Sequence, residues 1–596
     1  MKLDAMASSP FLFHTGLGVI TALAFLLLAA SVLTLIVSTI LLWLYRRAVA
    51  RLMSAQAGQP ELRTAAGAPS DPVSAPARQD CDPVAFSGED YLADRVYHLT
   101  ISQPRRHARK YAVAGALFAL LMGLAAFLAF SQTQMTYLRA AAHPRQFFFM
   151  FWTFVWPIVL TTNIVAAASR RSQCVTTGIY FAVLVVLAGF VVLISTESPI
   201  QVGSLSLPAW SGETPLRLAG RWILFNLAPT LMIVTFRNRR LRAVAPVVLS
   251  FMTVISAGLL SMITAAFLYQ DLSVAAIDFA AETLGVSVLA ALIGYFLLLG
   301  VVACILSGVI GWWLLLWIRS GYRRKIVSDQ SLAIDTLWLI FGSFYAVILA
   351  FAGPAWALSA PLAFFIFKIA VSVGNKRLLP GDDRVRYAPA LLVLRVFSLG
   401  KRSEILFDAV TKRWRYVGNV RLIAGTDLAF ATVAPHQFLA FVSGGLSGLF
   451  IRDETAVDRI PAEMDTRRDR DGRFRLNDLF CHADTWQRVL SMLVKSTDVV
   501  LMDLRSFAAN NAGCVFEIKE LLNTVPLQRL VFVVDATTDK SFLQHTFEES
   551  CGALRSDSPN LGCSSSTVQP FALGSLAHDE LQRLMSRLCT AVGSAA

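Results

Sequence analysis

Long apolar runs separated by short arginine-rich loops constrain this chain more than anything else in it. A helix rises about 1.5 Å per residue, so about 20 consecutive apolar residues cross a hydrocarbon layer about 30 Å thick. Nine runs meet that length, at approximately 18–44, 111–130, 147–168, 176–195, 218–236, 244–268, 286–318, 331–351 and 355–373. The composition agrees: 55% of the 596 residues are hydrophobic and 16% charged, where a soluble chain carries about a quarter charged. The pattern predicts a polytopic helical membrane protein.

The basic residues orient the spans, because Lys and Arg gather on the cytosolic side of short loops. Arg46, Arg47 and Arg51 follow the first run, and Arg105, Arg106, Arg109 and Lys110 precede the second. Alternate loops then carry Arg170-Arg171, Arg237 to Arg242, Arg319 to Lys325 and Lys376-Arg377. The opposite loops hold acids instead: Glu197, Glu213, Asp271, Asp278 and Glu282. Nine crossings place the amino terminus outside and the carboxyl-terminal domain in the cytosol, in a bilayer of the bacterial inner (plasma) membrane type. The net charge of +13 is explained by this asymmetry, so nucleic acid is not an expected partner. The lipid bilayer is, together with further copies of the chain.

The run 18–44 is too long for a cleaved signal segment and is read as a permanent first span. The run 286–318 is read as one long tilted helix, with a hairpin near Ser307-Gly308 as the alternative. Four regions result: a first span within 1–54, a disordered cytosolic linker at 55–92 rich in Ala, Pro, Gly and Ser, a multi-span region at 93–378, and a soluble domain at 379–596. The eight cysteines show no zinc spacing. No metal is expected, and the cytosolic thiols should be free.

The soluble domain alternates strand-like runs with helical patterns. Strands are expected at 391–399, 420–424, 499–504, 530–534 and 568–573. Helices are expected at 403–416, with Ser403 as N-cap, and at about 435–450, 484–495, 512–524, 540–554 and 576–591. The charged stretch 452–478 reads as an insertion with a turn at Asp471-Gly472. Five such units predict a doubly wound parallel sheet of order 2-1-3-4-5. Ligands of such sheets bind outside the carboxyl ends of strands one and three, where the winding reverses. That rule selects Phe397 and Ser398, Asp503, and the loop of Asn511 and Cys514 with Glu517 beyond it.

These residues carry a resemblance. Val396-Phe397-Ser398 and Cys514-Val515-Phe516-Glu517 resemble the Phe-x-Ser and Cys-x-x-Glu motifs of TIR domains. Asp503 with Gly513-Cys514-Val515-Phe516-Glu517-Ile518 is similar to the corresponding stretch of nucleoside deoxyribosyltransferases. The resemblance implies a flavodoxin-like, TIR-like fold over at most 390–592, with NAD or another nucleotide as ligand or substrate and no resident cofactor. It implies Glu517 as the carboxylate acting at the ribose C1′, where cationic character develops as the N-glycosidic bond breaks. Phe397 would line the base, and Asp503 or Asn511 would bind ribose hydroxyls. The insertion, and Leu399-Gly400 after the serine, depart from the family pattern.

Within the membrane, Asp335 and Lys368 lie one or two turns inside the cytosolic ends of adjacent antiparallel spans, where they could pair. Three readings follow: a membrane-tethered signalling effector that binds and cleaves NAD, a non-catalytic interaction module on a membrane anchor, or the regulatory domain of a transporter or channel.

Overall fold

The computed structural model describes residues 36–53, 89–132, 147–165, 170–194, 199–202, 205–208, 214–235, 244–378, 388–395, 401–424, 435–451, 454–481 and 485–593. The chain divides into two compact units. One comprises Met1–Leu42 and Pro104–Pro380, the other Trp43–Gln103 and Gly381–Ala596.

In the first unit, α1 (36–53) continues past residue 42 into the second unit. The helix α2 (Glu89–Gln132) runs unbroken through Pro104. Then come α3 (Phe147–Val165), α4 (Arg170–Ile194), a hairpin of β1 (Pro199–Val202) and β2 (Leu205–Pro208), and α5 (Pro215–Thr235). The rest is α6 (Ala245–Leu268), α7 (Gln270–Leu284), α8 (Val288–Arg323), α9 (Asp329–Ala350) and α10 (Ser359–Leu378).

Seven helices among the described residues are long and apolar enough to cross a membrane. The other two of the nine expected spans differ in kind. Most of 18–44 lies outside the described residues. The run 218–236 forms α5, a helix of 21 residues, but Arg217 and Arg221 near its start dilute its apolar character. The linker to residue 88 also lies outside the described residues. From Glu89 the chain is helical, so the expected boundary near residue 93 falls within α2.

Residues 286–318 form a single helix, α8, of 36 residues, so the hairpin alternative is set aside. The loop holding Asp271, Asp278 and Glu282 is itself helical (α7) and buries Ser273 and Ile277. The core of this unit is aromatic: Phe118, Phe154, Phe225, Trp338, Phe341, Tyr345 and Phe367.

The second unit is a three-layer α/β domain whose sheet is seven-stranded and entirely parallel, in the order β5-β6-β4-β3-β7-β8-β9. Its strands are β3 (Ala390–Arg395), β4 (Asn419–Ala424), β5 (Phe450–Ile451), β6 (Leu476–Cys481), β7 (Val499–Asp503), β8 (Leu530–Val534) and β9 (Phe571–Ala572). Its helices are α11 (Lys401–Trp414), α12 (Pro435–Val442), α13 (Glu454–Glu463), α14 (Trp486–Lys495), α15 (Ala512–Thr524), α16 (Lys540–Gly552) and α17 (His578–Gly593).

The five expected strands keep the order 2-1-3-4-5 as β4-β3-β7-β8-β9. The correction is in number: β6 and β5 extend the sheet beyond β4. The presumed insertion therefore belongs to the fold. It contributes α13, a tight turn at Gly472 (φ 78°) in which Asp469 N–H donates to Arg473 O at 2.9 Å, and the start of β6. Gly418 before β4 is required for packing, since a Cβ there would collide with the Pro389 carbonyl oxygen.

Candidate functional site

The winding reverses between β3 and β7, whose last residues, Arg395 and Asp503, face each other in register. The structure therefore puts the reversal at the two strand ends selected from sequence. Phe397 and Ser398 lie outside the described residues.

The remaining selected residues do not gather in one pocket. Asp503 is buried, 3% exposed, and its carboxylate is fully engaged. Arg505 donates from Nε to Oδ1 at 2.8 Å and from Nη2 to Oδ2 at 2.7 Å. Ser403 Oγ donates to Oδ2 at 2.8 Å. Ser403 stands in the first turn of α11, so its hydroxyl orients Asp503 and does not act as the expected N-cap.

Side chains alternate along a strand. Val500, Met502 and Leu504 join Cys514 and Ile518 of α15 in one core cluster. Asp503 points to the opposite, α11 side of the sheet. Glu517 sits on α15, one turn from Cys514. The two carboxyl groups are thus carried by elements that pack on different faces of the sheet. Asn511 Oδ1 accepts from Ala508 N–H at 2.9 Å, closing the loop that leads into α15. Cys514 is buried in the core with its Sγ 3.9 Å from Arg395 O.

Glu517 is the unusual member. It lies in the second turn of α15, and no acid occupies the first. It is only 2% exposed. Both facts remove the simple explanation of an acid complementing an exposed helix start, which acts within the first turn. Its Oε2 has no hydrogen-bond partner among the described residues. Burial pushes the carboxyl up to about 8, although the Arg395 guanidinium pulls the other way. The group lines a small cavity of about 20 Å³ with Val393, Leu394, Arg395, Phe407, Leu422 and Ile423. That is room for about one water molecule.

A second polar group at the same sheet edge was not selected from sequence. Asp535 follows β8 and pairs with Arg402 of α11. Burial works against its charge, but hydrogen bonds from the Thr537 hydroxyl and N–H, with Arg402 and Arg505 nearby, hold its carboxyl below the usual range. Ser506 Oγ lies 2.8 Å from Thr537 Oγ1, and its backbone adopts φ 57°. That left-handed conformation is uncommon for a residue other than glycine. The available signal was an acid ending a buried strand, the same signal that selected Asp503.

In the membrane unit Lys368 Nζ lies 2.6 Å from Asp335 Oδ2. Close to this pair, Lys110 is buried; it donates to Asn375 Oδ1 and lies 3.2 Å from His107 Nδ1. Gly374 makes room for it, since a Cβ there would come within 2.7 Å of Lys110 Cγ. Among the described residues no group of His, Cys, Asp and Glu could hold a metal ion.

No family model, no curated protein and no solved structure matches the chain.

Proposed function

We propose that this is a multi-pass membrane effector, amino terminus outside and α/β domain in the cytosol, whose domain binds a nucleotide such as NAD and acts on it through Glu517. One observation carries the reading. The Glu517 carboxyl is enclosed within the fold, one oxygen without a partner, at the sheet edge where the winding reverses. A buried acid with an unsatisfied oxygen costs stability. Groups held against stability at such an edge are candidates for chemistry. A carboxyl near 8 loses its proton to solvent close to neutral pH, and nicotinamide leaves NAD as a neutral base without needing that proton. Once ionised, it stabilises positive charge at the ribose carbon.

The TIR-like motifs support the same assignment, and the basic loops support the orientation. The test is to incubate the full chain in detergent micelles with NAD and follow nicotinamide release, with Glu517→Gln alongside. Release by the native chain and its loss in the variant are expected. Absence of both turnover and binding by the native chain removes the enzymatic reading.

A second reading is favoured by the small cavity and by the engagement of Asp503 with Arg505 and Ser403. In it, the domain keeps the fold as a regulatory or interaction module. NAD binding without cleavage, unchanged by Glu517→Gln, selects it.

A further inference from the structure

Cys551 ends α16, and Cys563 follows a turn in which Gly562 adopts φ 81°. Their sulfurs lie 2.7 Å apart. That is nearer than two unbonded sulfurs ordinarily approach, and not far beyond the roughly 2.05 Å of a disulfide bond. Both side chains are partly exposed. The other described cysteines of this domain, Cys481, Cys514 and Cys589, are buried. Those of the membrane unit, Cys174 and Cys304, lie on α4 and α8. Disulfides are rare in a reducing cytosol unless they are redox-responsive.

The segment between the two cysteines is not a free loop. Asn560 Nδ2 donates to Leu522 O at 2.7 Å and to Val525 O at 2.8 Å, and Asn560 Oδ1 accepts from Leu527 N–H at 3.0 Å. Ser558 Oγ donates to Leu522 O at 3.1 Å, and Arg555 N–H to Asn523 Oδ1 at 2.7 Å. These bonds satisfy carbonyls at the end of α15 that have no partner within the helix.

We propose that Cys551 and Cys563 are a reversible redox site that closes to a disulfide in the presence of an oxidised low-molecular-weight thiol. Closure staples to α16 the segment that caps α15. One of the two thiolates attacks one sulfur of the small disulfide, forming a mixed disulfide and expelling one small thiolate. The other thiol then loses its proton to solvent and attacks the protein sulfur of the mixed disulfide, expelling the second. The protein thiols give up two electrons and two protons, and the small disulfide becomes two thiols.

The test uses the full chain in detergent, equilibrated with oxidised or reduced glutathione, alkylated, digested and mapped by mass. After oxidation, the peptides of Cys551 and Cys563 are expected joined, lacking two hydrogens and unalkylated, and separate again with dithiothreitol. Cys551→Ser is expected to trap glutathione on Cys563, and Cys563→Ser to trap it on Cys551. Full alkylation of both native cysteines after oxidation, or a bridge from either to another cysteine, overturns the pair.

Discussion

The two units handle the same residue types in opposite ways. In the membrane unit large apolar side chains face outward: Ile293, Leu297, Val301, Ile305, Val309 and Trp313 of α8 are all exposed. Among the described residues from 388 to 593, only Ile405 and Leu561 are large, apolar and exposed. Outside the first unit is hydrocarbon, and outside the second is water, so only the second gains by turning apolar surface inward.

Polar groups show the converse. In the membrane unit they meet partners across helices. Tyr345 OH donates to Asn226 Oδ1 at 2.9 Å, Asn226 Nδ2 to Thr153 O at 3.0 Å, and Lys368 meets Asp335. Exceptions occur in both units: among the described residues Thr253 Oγ1 and Trp338 Nε1 of the first are buried without a hydrogen-bond partner, and in the second the exception at Glu517 is a carboxyl oxygen. The comparison teaches that an unsatisfied polar group is informative where the fold had water available as the cheaper alternative.

The largest expected effect concerns that exception. The folded-state value of Glu517, about 8, lies above the ordinary glutamate value, so the folded chain binds the proton more tightly than the unfolded chain. Its contribution is fully present below the unfolded value and is lost as pH rises through about 8. A shift of this size is worth roughly 5 kcal/mol. Glu517→Gln should remove that slope, leaving stability at pH 5 little changed and raising it at pH 9, as read by thermal unfolding. A native chain as stable at pH 9 as at pH 5 would show the carboxyl to be solvated.

Next in size is the buried pair on the other side of the sheet. Asp503→Ala strands Arg505 and should cost about 3–5 kcal/mol, seen as earlier unfolding of the α/β unit in denaturant. A loss below about 1 kcal/mol would place the pair in water, at the level of surface ion pairs.

The membrane pair should matter less. Asp335→Ala should cost about 2–3 kcal/mol by leaving Lys368 without its acid. Lys368→Met on the Asp335→Ala background should recover part of that loss, because it removes the charge left without its partner. Additive single changes in a double-mutant cycle would mean the pair carries no coupling. The smallest effect belongs to Thr336, whose hydroxyl meets Ser250 Oγ at 2.8 Å. Thr336→Val should cost about 0.6 kcal/mol, measured by unfolding in micelles. An effect equal to that of Asp335→Ala would erase the distinction between charged and neutral partners.

What could be read from the sequence follows the same division by solvent. The ranges of α15 and β8 were legible to the residue, because 512–524 carries an uninterrupted helical pattern and 530–534 is a wholly apolar strand. The strand β6 was not legible. It begins Leu476-Asn477-Asp478 after a run of arginines and aspartates, and its short neighbour β5 pairs through Phe450 and Ile451 alone. Its identity comes from pairing with β4, a contact across about 55 residues that no local pattern records.

The position of Glu517 was legible but its burial was not. That burial depends on Phe407 and Leu422, more than 90 residues away, which close the cavity around it. Asp503 was selected for the right strand end. Its partner Ser403, however, lies 100 residues away and read as a helix cap.

One feature of the membrane unit acts at a larger scale. At 36 residues, α8 is about 54 Å long, nearly twice the thickness of the hydrocarbon it meets. It leans or protrudes, and a thinner or thicker bilayer changes the angle at which its two ends find water. Trp312, Trp313 and Trp317 near its carboxyl-terminal end are the ring type that settles at headgroup depth. The helix behaves as a lever with one end pinned at the surface, turning lipid thickness into inclination.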